Sequence, residues 1–270
     1  MYQSPLRYPG GKTRSRVILY NILVDYFDVV SVKTILSPYL GGGSFEFYLT
    51  ERLGVNVIGN DKFAPLWQFW NECIFNRDAL CNKVVNIRQT MVDSEDNGKG
   101  KFASLRNNIM LMNDSIEKAA AYFTINRCSF SGATLSGGFS SESMKTRFTQ
   151  SSIDRLKNLS TSNLVVENLD GVQFIEKHWT ENDDTTVMFI DPPYYLGKGS
   201  KLYGNKGDMH KEFSHEDLFE SLKNKKRWIV TYNDDEYIRG LYKDFIIIDA
   251  SWAYGMNKSK KSSEIIIVSQ

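Results

Sequence analysis

Four consecutive residues, Asp191, Pro192, Pro193 and Tyr194, follow the apolar run VMFI. A carboxylate, two imino acids and an aromatic ring therefore stand together at the carboxyl end of a buried strand. In open α/β sheets that end is where ligands sit. The prolines fix the backbone and remove two N–H donors, leaving carbonyl oxygens and a carboxylate to face whatever binds. Such a site accepts hydrogen bonds from an –NH2 group, and the adjacent ring can stack on a planar base. The exocyclic amine of a nucleobase meets both conditions, and it must be turned out of its helix to be reached. A rigid loop is the plain alternative. The strand-end position, close to a glycine-rich nucleotide unit, favours the chemical reading.

A second candidate lies near the start, where Arg7 to Thr13 read RYPGGKT. A P-loop requires Gly, four residues, then Gly-Lys-Ser/Thr directly after a strand. Counting back from Gly11-Lys12-Thr13 puts Leu6 at the first glycine, and the few preceding residues leave little room for a core strand. A triphosphate cradle is excluded; by itself the motif reads as a tight turn before a helix. Next, VKTILSPYLGGGS reads as a strand running into a turn at Leu40, Gly41 and Gly43. SFEFYLTERLG reads as a helix stopped by Gly54, and VNVIGND as a strand ending in Asp61. Strand, glycine turn, helix, strand and acid make a nucleotide-binding βαβ unit. Glu46, however, stands where a full GxGxxG carries its third glycine.

These groups need a scaffold, and the rest of the chain supplies one. NLVVENLD, TTVMFIDPPY, RWIVTYND, FIIIDASW and EIIIVSQ read as five further strands, separated by helices such as SHEDLFESLK and DDEYIRGLY. Seven strands in this rhythm predict an α/β fold, one mainly parallel sheet covered by helices. The last two lack a helix between them and predict an antiparallel hairpin. SRVILYNILVDYF predicts a helix with Val17, Ile18, Ile22, Leu23, Tyr26 and Phe27 on its buried face. From Phe63 to Phe102 the pattern is helical and polar, and FTINRCSFSGATLSGGFSSESMKTRF is too long for an ordinary connection. The expected organisation is a catalytic domain of residues 1–71 and 156–270, with an inserted lobe at 72–155.

Bulk composition fits this picture. The 270 residues are 41% hydrophobic with a net charge of +1, so nucleic acid would be met by local patches rather than global charge. Three scattered cysteines read as reduced thiols, and the three histidines supply no metal-ligand spacing. No apolar run approaches the ~20 residues of a membrane span and no secretory signal is visible, so a cytoplasmic protein is expected, in a bacterial, phage or viral context, with a host nucleus as the alternative.

Taken in order, RYPGGK, PYLGGGSFEF, GND, NRCSFSG, DPPYY, WIVTYND and SSEIIIV resemble the Dam-like family of DNA adenine-N6 methyltransferases, nearly end to end. The resemblance implies a Rossmann-like methyltransferase sheet and S-adenosylmethionine as methyl donor, with no metal. It implies double-stranded DNA as partner, a target-recognition role for the inserted lobe and, in a restriction–modification setting, a cognate endonuclease. Carried over by position, Tyr8, Lys12, Leu40, Gly41 and Gly43 would meet the cofactor, Asp61 its ribose, and Asp170 its adenine. Asp170 reads equally as a helix N-cap. Asp191 and the Pro192 carbonyl would accept the amine's two N–H groups, Pro193 would hold the turn, and Tyr194 would stack on the base. Arg7, Asn126, Arg127, Ser129 and Ser131 fall where the family contacts DNA, and Lys198 and Lys201 lie in a basic stretch beyond the strand. Relatives reading GATC usually carry Asn at the position of Ser131 and Arg at that of Leu135, so this chain departs from their pattern. N4-cytosine or RNA amino-methylation, and a DNA-binding module with a decayed site, are the competing readings.

Overall fold

The computed structural model describes residues 3–195, 213–253 and 261–269. Its frame is a seven-stranded sheet: β1 (Thr34–Ser37), β2 (Asn56–Asn60), β3 (Leu164–Glu167), β4 (Thr186–Ile190), β5 (Trp228–Asn233), β6 (Ile246–Ala253) and β7 (Lys261–Val268). The spatial order is β3-β2-β1-β4-β5-β7-β6. Strands β1 to β5 are mutually parallel, and β7 runs antiparallel between β5 and β6. The sheet and its antiparallel pair match the sequence expectation.

Topology decides where a ligand can go. From β1 the chain moves outward to β2 and β3, then returns to place β4 on the other side of β1. The connections leaving β1 and β4 therefore diverge to opposite faces, opening a crevice above their carboxyl ends. The glycine turn follows β1 and Asp191 follows β4, so both motifs sit at this switch point.

Alternation along the strands fills both faces. Ile35, Val57, Val187 and Phe189 join one core cluster, while Leu36, Met188, Ile190 and Val230 join the other. The second face is covered by α9 (Gly171–His178), α10 (His215–Leu222) and α11 (Glu236–Leu241) through Phe174, Ile175, Leu218, Leu222 and Ile238. On the first face lie α1 (Arg16–Tyr26), α2 (Ser44–Leu53) and α3 (Ala64–Phe75). In α1 the buried residues are Leu19, Ile22 and Leu23, whereas Val17, Ile18 and Tyr26 are exposed. The expected face was thus right at Ile22 and Leu23 and wrong at Val17, Ile18 and Tyr26: α1 is apolar nearly all round, so periodicity alone could not choose which stripe meets the sheet.

Between α3 and β3 run α4 (Arg77–Val92), α5 (Lys99–Asn108), α6 (Ser115–Cys128), α7 (Ser141–Arg147) and α8 (Gln150–Lys157). Helix α6 is the hub, against which α3, α4, α5 and α7 pack. Every residue from Ala119 to Cys128 is buried, as expected of a helix enclosed on all sides. The stretch FTINRC, grouped from sequence with an irregular loop, is the end of this helix. Its apolar side chains are continuous with those of the sheet.

Candidate active site

The glycine turn is built for close approach. Gly41 and Gly43 adopt φ of +51° and +64°, a region disfavoured for L side chains. The turn is held from three directions: Gly41 N donates to Asp61 Oδ2 (3.1 Å), Trp70 Nε1 donates to Gly41 O (2.9 Å), and Leu40 N donates to Asn60 O (2.8 Å). Tyr8 lies across it. A Cβ at Gly41 would come within 2.8 Å of the Tyr8 ring, and one at Gly42 within 2.7 Å of Tyr8 Cβ. The RYPGGK segment therefore folds back over the first βα turn.

Across the crevice, Asp191 is engaged on both oxygens. Thr231 on β5 donates from Oγ1 to Asp191 Oδ1 (2.6 Å), and Lys12 Nζ lies 2.7 Å from the carboxylate. Lys12 is only 2% exposed and also donates to Gly10 O (2.8 Å) and Tyr194 Oη (2.9 Å). One ammonium thus ties the N-terminal loop to the first and last residues of the Asp-Pro-Pro-Tyr segment. Asn233 Nδ2 donates to Tyr195 O (2.8 Å), fixing the backbone just beyond.

Tyr8, Lys12, Leu40, Gly41, Gly43, Asp61, Asp170, Asp191, Pro192 and Pro193 all line a single cleft of about 200 Å³. Its remaining walls include the aromatic rings of Tyr39, Phe63, Phe189 and Phe213. Five carboxyl groups face it, from Glu46, Asp61, Asp170, Asp191 and Asp217, against the ammonium groups of Lys12 and Lys62. Burial pushes the Asp61 carboxyl up to about 6, opposed by hydrogen bonds from Phe63 N and Gly41 N. Glu46 is buried in the first turn of α2, where it accepts a 2.6 Å hydrogen bond from Ser37 Oγ. Desolvation, with Asp191 nearby, raises it to about 7 against the pull of Ser37 and Lys12. Asp170 caps α9, accepting from Val172 N (3.0 Å), and pairs at the surface with Lys62 (3.1 Å). A cleft with planar apolar walls and an excess of acid suits a cation that carries an aromatic ring.

A model of D12 class N6 adenine-specific DNA methyltransferases matches residues 8–256. The chain belongs to that family. It is accordingly an enzyme of adenine-N6 DNA methylation, a methyltransferase whose substrate is DNA. A search of curated proteins returns no match. Among the described residues, no cluster of His, Cys, Asp and Glu could hold a metal ion, and no helix is long and apolar enough to cross a membrane.

The residues of this methyltransferase expected at DNA occupy two kinds of place. Asn126 is fully buried: its Oδ1 accepts from Arg7 N (2.9 Å) and its Nδ2 donates to Arg7 O (2.6 Å). Arg127 is 5% exposed and donates through Nε to Arg147 O (2.7 Å) and through Nη1 to Pro5 O (3.3 Å). Buried Ser129 accepts from Thr134 N (3.0 Å). In this arrangement the side chains of Asn126 and Arg127 brace the N-terminal loop, while that of Ser129 holds the turn at Thr134. Arg7 is half-buried and reaches Ser143 Oγ (3.1 Å) and Ser129 O (3.3 Å). Ser131 stands on the surface at φ +52°, beside exposed Phe130, while Leu135 packs partly against the core. The segment after Cys128 consists of two 3₁₀ turns closed by a bridge between Ser129 and Phe139. Lys198 and Lys201 lie outside the described residues.

Sequence reasoning gave Thr231 no role, although a polar residue inside the apolar run WIVTY was a visible signal. Glu46 registered only as a missing glycine. Its signal was a charge between two phenylalanines in a helix that buries both neighbours.

Proposed function

We propose that the cleft binds S-adenosylmethionine and that the enzyme methylates the N6 amine of an adenine turned out of duplex DNA onto Asp191–Tyr194. The observation that carries this reading is the convergence of the glycine turn, Asp61 and Asp191-Pro192-Pro193 in one crevice at the sheet's switch point. The residues fit the cofactor: the glycines leave space that a Cβ would fill, the walls are aromatic, and the acid excess matches a net positive ligand.

When bound, S-adenosylmethionine supplies a methyl group already activated by a positively charged sulfur. Asp61 at the end of β2 is placed to accept from ribose hydroxyls while its oxygens keep the glycine turn in shape. Tyr8 and Leu40 bound the same part of the cleft. Asp191 and the Pro192 carbonyl accept the two N–H groups of the adenine amine, which raises its nucleophilicity and stabilises positive charge developing on nitrogen. Thr231 fixes the rotamer of Asp191, and the rigid Pro192-Pro193 backbone fixes the carbonyl. Tyr194 offers a face for the extruded base. Lys12 holds the acceptor site together, and the incoming amine must share or replace its hydrogen bond to Asp191. The helical run from α4 to α8 acts as the target-reading lobe, with the 129–139 loop as its tip.

Expression in a host without DNA methylation, followed by sequencing that detects modified bases, tests the reading. N6-methyladenine within one short motif is the expected result. An unmodified genome, with soluble protein present, would count against activity on duplex DNA.

A further inference from the structure

The loop of residues 7–13 has two sides. Tyr8, Gly11 and Lys12 face the cleft already described, whereas Arg7 and Thr13 face a second cavity of about 480 Å³. Five arginines line that cavity: Arg7, Arg16, Arg127, Arg147 and Arg155. It has no acidic lining residue, and none of the five forms an ion pair with a carboxylate among the described residues. The charge of Arg147 opposes that of Arg7, and those of Arg155, Arg7 and Arg147 oppose that of Arg127. Burial and this repulsion push Arg127 down to about 10.

Cations gathered and partly buried without a counter-charge oppose folding. An anion seated among them removes that penalty. The remaining walls are suited to a tetrahedral oxyanion. Thr149 and Ser151 line the cavity where α8 begins, so the positive end of that helix faces inward as well. Guanidinium groups are the side chains best matched to phosphate oxygens.

We infer that this five-arginine pocket docks a backbone phosphate of the substrate DNA. It thereby presses the duplex against the outer side of the loop whose inner side carries Lys12. The inference rests on the family's DNA substrate and extends it to Arg16, Arg147 and Arg155. Phosphate contacts fix register and carry no sequence information themselves.

The test is the salt dependence of DNA binding by the full chain, measured by fluorescence anisotropy between 50 and 200 mM salt, with S-adenosylmethionine affinity determined by calorimetry on the same samples. Each phosphate contact contributes about 0.9 to the slope of log affinity against log salt, or roughly threefold over that range. Arg147→Gln/Arg155→Gln is expected to bind DNA more weakly, to lose a slope of about 0.9, and to melt no lower than wild type. Arg147→Lys/Arg155→Lys is expected to keep most of the slope. An unchanged slope in the glutamine pair would overturn the inference. So would a lysine pair as impaired as the glutamine pair. Saturable protection of wild type by inorganic phosphate, with the DNA slope unmoved, would also overturn it in favour of a free-anion site. Retained cofactor affinity in every variant keeps such a failure separate from failure of the cleft assignment.

Discussion

Glu46→Gln separates stability from function at the cleft. Glu46 is 4% exposed, with one hydrogen bond from Ser37 Oγ and Asp191 close enough to oppose its charge. Burial pushes its carboxyl up to about 7 in the folded protein, from an ordinary value of 4.5. The native state therefore holds a proton that the unfolded chain has already released. The contribution of Glu46 to stability is most favourable below about pH 4.5, falls as pH rises, and levels off above about 7. The full penalty on the ionised native state is about 3 kcal/mol. Glutamine keeps an acceptor for Ser37 and removes the charge. The variant should match wild type at pH 4.5 and exceed it by up to about 3 kcal/mol at pH 8. Urea unfolding at a series of pH values, without cofactor, measures this directly. Asp61 also titrates high, but it is present in both proteins and cancels in the difference. At pH 8 the same variant should bind the positively charged cofactor more weakly, a trade of function against stability. A stability difference that does not change with pH, or a variant weaker than wild type at pH 8, would refute the reasoning.

Three further substitutions probe the site. Gly41→Ala forces an L side chain into φ +51° and against the Tyr8 ring. It should lose about 1–2 kcal/mol of stability and at least most of its cofactor affinity, both readable by thermal shift with and without cofactor. Lys12→Ala removes three hydrogen bonds, two of which join the N-terminal loop to Asp191 and Tyr194 and one of which holds Gly10 within the loop. Calorimetry should show weakened S-adenosylmethionine binding and no ATP binding, and ATP affinity in either protein would contradict the exclusion of a triphosphate site. Thr231→Val removes the donor to Asp191 Oδ1 at nearly constant shape. Single-turnover methyl transfer should slow by roughly tenfold, equivalent to about 1.4 kcal/mol and close to the lower end of what a hydrogen bond to a charged group contributes, with cofactor affinity retained.

The strands were legible because each buried run announces itself locally, and the motifs were legible because glycines, prolines and acids cluster at strand ends. Both reach the same crevice in the folded chain, as their positions after β1 and β4 require. What was not legible depends on contacts across long separations. The buried stripe of α1 is chosen by the sheet it meets, not by its own period. Asn126 and Arg127 close over Arg7 and Pro5, some 120 residues away, a pairing that no local pattern announces. Five arginines spread from Arg7 to Arg155 converge on one cavity, which no spacing along the chain could reveal. Thr231 acquires meaning only because β5 lies beside β4 and brings its hydroxyl to Asp191.

The most direct test is nucleoside mass spectrometry of DNA incubated with S-adenosylmethionine and either wild type or Asp191→Asn, with cofactor and DNA binding checked for both. Wild type should produce N6-methyldeoxyadenosine, and Asp191→Asn should lose that product while still binding cofactor and DNA. Equal N6-methyladenine from the two proteins, or a methyl group found instead on cytosine N4, would contradict the assignment of this cleft.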